Sequence, residues 1–122
     1  MAKEVPMDSI TCNKAIRACS RFLERREYQV MDTWNEQPFC GVVAKDPDKR
    51  LVFAQVLYRL AADEGLPKES CVDRCELETL ATDWLRYYDS GTGETEVRFD
   101  VISLVILDDH RAFLRHHINA FC

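Results

Sequence analysis

The chain's 122 residues and 14.2 kDa supply one hydrophobic core with no room for a second, so the sequence predicts a single domain over 1–122. With 47% apolar and 30% charged residues and only four each of Gly and Pro, collagenous and Pro/Gly-rich disordered classes are excluded. The net charge of −5 argues against polyanion binding by the whole surface, yet residues 1–60 hold ten basic against eight acidic side chains and residues 61–122 six against thirteen, so any nucleic-acid contact is expected in the first half.

From residue 9 to 26, Cys12, Ala15/Ile16, Cys19 and Phe22/Leu23 recur at three- and four-residue spacing, the buried stripe of an amphipathic helix. Lys14, Arg17, Arg21 and Arg25 follow the same spacing beside that stripe and make a basic ridge. Residues 28–34 read as a first strand, FCGVVA (39–44) as a second closed by Asp46-Pro47-Asp48, and LVFAQVLY (51–58) as a third, the last two forming a hairpin. Residues 61–69, with Gly65 and Pro67, read as a loop. Ser70-x-x-Asp73 predicts a capping box for a second helix that buries Leu77, Leu80, Ala81, Trp84 and Tyr88 and stops at Ser90-Gly91. After a polar linker (92–96), the nearly all-apolar VRFDVISLVIL (97–107) predicts a strand inside the sheet, and 108–121 a short helix or docked tail. The order α-β-β-β-α-β describes an α/β domain with a central mixed β-sheet flanked by helices.

No apolar run is long enough to span a bilayer, and the first nine residues lack the basic-then-apolar pattern of an export signal, so the reading is cytoplasmic, with no membrane partner. In that compartment Cys12, Cys19, Cys40, Cys71, Cys75 and Cys122 are expected as reduced thiols, buried as small hydrophobes except for the terminal one. No Cys-x-x-Cys knuckle points to zinc. His116 and His117, being adjacent, point different ways and do not suggest a joint metal site with His110.

Several segments between 12 and 121 together resemble a known family. FLERREYQV resembles its YLExxGYxIL pattern, and GVVAKD followed by RLVFAQVLYR resembles GEIDLIAxD followed by LVFVEVKxR. Trp84-Leu85 stands where that family has AAxxWL, and Arg98–Val101 and Asn119–Phe121 match its RFDV and NAF. In this order and spacing they resemble the YraN-like family of uncharacterised bacterial proteins, related to Holliday-junction resolvases and restriction-type nucleases. The resemblance implies a restriction-endonuclease-like fold. Its nuclease chemistry needs carboxylates on two neighbouring strands to hold Mg²⁺, a hard cation that takes oxygen ligands. It also needs a Lys two residues after the second carboxylate, on the same face, and a Glu on the first helix.

Carried across residue by residue, those positions are Ile16, Gly41, Gln55 and Leu57, with no carboxylate and no Lys among them. The expectation is a catalytically inactive nuclease-fold protein with no cofactor. The alternative is a Mg-dependent endonuclease whose site is displaced onto Asp46, Asp48 or Asp100 with Gln55. Asp100 also reads as a hydrogen-bonded strand residue of an architectural motif, and Glu76 and Glu78 as a solvated acidic helix face. Two binding roles follow. DNA or RNA would meet Lys14, Arg17, Arg21, Arg25 and Arg26, with Trp34 stacking on a base. A protein partner would meet an apolar patch that includes Leu57 and Phe39.

Overall fold

Helix α1 (Ser9–Arg25) forms because Cys12, Ala15, Ile16, Cys19 and Leu23 return to one side every three or four residues, and all five are buried. The structure, a computed structural model, describes residues 9–36, 39–60, 73–88, 96–108 and 110–121. The helix ends in a Schellman turn: the Glu27 N–H donates to the Glu24 carbonyl and the Tyr28 N–H to the Leu23 carbonyl, both at 3.0 Å. This turn needs a left-handed residue, and Glu27 takes it, at φ 68°, where the resembling pattern carries Gly.

Strands β1 (Gln29–Glu36), β2 (Phe39–Lys45) and β3 (Leu51–Leu60) form an antiparallel meander, with a bulge in β1 between Val30 and Asp32. The β2–β3 turn is held by Asp46, whose Oδ1 accepts the N–H groups of Asp48 (2.9 Å) and Arg50 (2.8 Å). Helix α2 (Arg74–Arg86) lies between β3 and β4 (Val97–Ile106), which pair in parallel as only a crossover connection permits. β5 (Ala112–His117) returns antiparallel on β4. Among the described residues the sheet runs β1-β2-β3-β4-β5.

Each face of the sheet has its own core, which explains the nearly continuous apolar runs of β3 and β4. On one face α1 packs on Val42, Ala44, Ala54, Val56, Ile102 and Leu104. On the other, Leu77 and Ala81 of α2 pack on Val43, Leu51 and Phe53. The Phe53 ring is surrounded there by Trp34, Trp84 and Phe99 at centroid distances of 5.7–6.1 Å.

Three local expectations are corrected. Asp73 itself caps α2, accepting from the Cys75 N–H (2.9 Å) and the Glu76 N–H (3.3 Å), while Ser70 lies outside the described residues. That helix ends at Arg86 rather than running on through Tyr88; Ser90-Gly91, the loop at 61–69 and linker residues 92–95 lie outside the described residues. The segment expected as a helix or tail contains β5, where Leu114 and His116 are half-buried while Phe113 and Arg115 are exposed.

Candidate functional site

The four positions that the family resemblance marks for metal chemistry do not all meet. Gly41 lies directly opposite Gln55 in the β2–β3 register, and Leu57 follows two residues on. By strand alternation these three share the α2-facing side with Val43 and Phe53. Ile16 lies in the core beneath α1, on the other side of the sheet. On the α2-facing side the Gln55 Oε1 is a buried neutral oxygen without a hydrogen-bond partner. So is the Ser103 Oγ, on the β4 residue that pairs with Leu57. A magnesium ion requires harder, charged oxygens than an amide and a hydroxyl.

Of the carboxylates of the displaced-site alternative, Asp46 and Asp100 lie on the α1 side and are already engaged, while Asp48 is exposed in the β2–β3 turn and pairs with Arg50 at 3.3 Å. Arg98 forks onto Asp100, with Nε to Oδ1 and Nη2 to Oδ2, both at 2.9 Å. The same guanidinium reaches the Asp46 Oδ2 at 3.1 Å and the Tyr28 hydroxyl at 2.8 Å. Asp100, fully buried, also contacts the His116 Nε2 at 2.7 Å and accepts the Asn119 N–H at 2.9 Å. Burial works against this carboxyl's ionisation, but His116, Arg98 and the Asn119 N–H outweigh it and hold its pKa below the usual carboxylate range. A guanidinium between Asp46 and Asp100 occupies the space a cation would need, and Gln55 faces away from both. Among the described residues these positions therefore leave no charged oxygen open for a divalent ion. The RFDV and NAF segments prove to be one device: the Arg98–Asp100 pair on β4 holds the turn after β5 through Asn119, itself left-handed at φ 58°. The match of Asn119–Phe121 to the family's NAF pattern was the signal available for this.

The basic ridge is where the sequence places it. Lys14, Arg17, Arg21, Arg25 and Arg26 are all exposed, and Arg26 lies 4.2 Å over the Phe22 ring. Trp34 does not join them; it stacks on Phe53 under α2, across the sheet from the ridge. Leu57 is half-buried, and the Phe39 side chain lies outside the described residues. Sequence reasoning missed the ridge's neighbour. The β4–β5 connection brings Arg111 alongside α1, and the two walls enclose a cleft of about 600 Å³ bounded by Arg21, Phe22, Arg25, Arg111, Phe113 and Leu114. A smaller hollow of about 60 Å³ adjoins it, lined by Lys14, Arg17, Arg21 and Arg111 together with Asp108. Asp108 orients Arg111 through a 2.7 Å contact to its Nε.

The buried thiols are not part of either site. Cys12, Cys19 and Cys40 are enclosed in the α1 core, with the Cys12 Sγ 2.8 Å from the Cys40 Sγ, and burial raises all three pKa values. Cys75 departs from the expected burial: it is exposed on the first turn of α2, while Cys71 and Cys122 lie outside the described residues. Among the described residues no helix is long and apolar enough to cross a membrane.

The chain is similar to a UPF0102 protein of Geobacter sulfurreducens, 32% identical over 105 residues that cover 82% of this chain and 79% of the relative. No family model matches the chain, and no solved structure matches it significantly.

Proposed function

The chain belongs to the UPF0102 family, and from that premise we propose that it is a nuclease-fold protein that binds nucleic acid without cutting it. One observation carries the reading: at the paired strand positions where such a nuclease would hold magnesium, Gly41 faces Gln55 and no carboxylate is present. Hydrolysis without a positioned cation forgoes several kcal/mol of transition-state stabilisation. The α1 ridge supplies the binding half of the reading, because Lys14, Arg17, Arg21 and Arg25 stand in one row with only Glu24 among the acidic residues of that helix. The displaced magnesium site gains no support from Asp46 and Asp100, both of which answer Arg98.

Two assays on the same preparation test this. Fluorescent single-stranded, duplex and branched oligonucleotides are titrated at low and rising salt, and the same substrates are incubated with magnesium or manganese. Binding that weakens with salt, with no cleavage, is the expected result. Absence of binding at low salt removes the nucleic-acid role, and metal-dependent cleavage removes the inactive one.

A further inference from the structure

We infer that the ligand of the basic face is a single strand of nucleic acid, threaded through the cleft between α1 and the β4–β5 connection; this deepens the binding role proposed above and rests on it. Two features of the cleft select the ligand. The first is its length and charge. Lys14 to Arg25 spans eleven residues of helix, about 16 Å at 1.5 Å per residue, so the cations face a repeating anion rather than one isolated phosphate. Arg111 stands on the opposite wall, which places positive charge on both sides of the channel. Asp108 is the carboxylate present among its lining residues, and it is engaged with Arg111.

The second feature is concavity combined with exposed apolar surface. A duplex is read by an element that projects into its major groove, about 12 Å wide. Here α1 is flanked by the β4–β5 connection, so the arginines line a recess that the convex side of a duplex cannot enter. A single strand can lay its phosphates in the small hollow at Lys14, Arg17, Arg21 and Arg111 and turn its bases toward the larger space. That space has an apolar side, lined by Phe22 and Leu114 with Leu107, 44% exposed, at its edge, whereas Phe113 pairs with Val105 and turns to the opposite face of the sheet. Aromatic surface beside a cationic track is the arrangement that holds unpaired bases without regard to sequence. Phe22, on the α1 wall of the cleft, thus takes the stacking role that Trp34, turned to the other side of the sheet, cannot fill.

The experiment is fluorescence anisotropy on the full chain at low salt. The probes are a labelled oligothymidylate of about twelve nucleotides, within the usual site size, and a hairpin duplex of equal phosphate count. Arg21→Ala, Arg111→Ala, Phe22→Ala and, as a charge-matched control on the far face, Arg86→Ala are compared, each checked by circular dichroism for an unchanged fold. The expected result is single-strand binding at least about tenfold tighter than duplex binding. Arg21→Ala, Arg111→Ala and Phe22→Ala should each weaken it about three- to tenfold, and Arg86→Ala should leave it unchanged. Equal or tighter duplex binding overturns the inference while leaving a nucleic-acid role intact. So does a loss with Arg21→Ala but none with Arg111→Ala, which would place the contact on the open helix face. No binding to either probe overturns both readings, as does capture by phosphatidylserine vesicles in their place.

Discussion

Asp100 never reaches water, and four contacts replace it: two from the Arg98 fork, one from His116 and one from the Asn119 N–H. Removing the carboxylate would leave Arg98, 10% exposed at its side chain, as a buried charge with half its partners gone. Asp100→Ala is expected to cost about 3–5 kcal/mol, measured as a lower urea midpoint with an unchanged slope. The pH dependence follows from the depressed pKa. The carboxylate's contribution is complete above its ordinary value of 3.8 and is lost as pH falls from there through the folded value. Urea midpoints of the wild type should drop below about pH 4 more steeply than those of Asp100→Asn. A residue of the opposite kind is Glu27, which holds φ 68° without glycine's freedom. Glu27→Gly is expected to stabilise the protein by about 0.5–1 kcal/mol, read as a higher melting temperature. Asp100's partners were not legible from sequence, because His116 and Asn119 are brought to it by a strand the sequence concealed.

Among the elements, α1 was legible because one three- to four-residue period runs along it, and the β2–β3 hairpin because two short, β-branched apolar runs flank an Asp-Pro-Asp turn. β5 was not. Its sequence, AFLRHH, is short, forms a sheet edge and has only Leu114 as a large inward apolar residue, so alternation is too weak to separate a strand from a tail. The start of α2 was misplaced for a related reason: Ser70 and Asp73 are both good caps, and the backbone chose the one whose carboxylate reaches Cys75 and Glu76. Asp73→Ala is expected to destabilise by about 1 kcal/mol, checked by thermal melting. The ridge on α1 carries an element-scale prediction of its own. If three to five cations each displace a counterion from a single strand, the logarithm of the binding constant falls against the logarithm of salt with a slope of about −2 to −3.5.

For the molecule as a whole, the mixed α/β layout followed from the order of periodicities, whereas the pairing of two walls into a cleft did not, since Arg21 and Arg111 are ninety residues apart in the chain and share no motif. The two-sided core also sorts the cysteines. With Cys71 and Cys122 replaced by Ser, one thiol, Cys75, is expected to react at once with a thiol reagent. Cys12, Cys19 and Cys40 should react only after denaturation. The same layering separates charge. α1 presents Lys14, Arg17, Arg21 and Arg25 on one side of the sheet; on the other, Asp73, Glu76, Glu78 and Asp83 outnumber Arg74 and Arg86 along α2 and its cap. Such a body has a positive and a negative pole with a slab of low dielectric between them. A long anion nearby exerts a torque on it, turning the helix α1 side forward before any contact is made, and repels it when it arrives backward. Encounters are thereby sorted by orientation in advance, and inverting Glu76 and Glu78 to Lys would remove that sorting while leaving every residue of the cleft untouched.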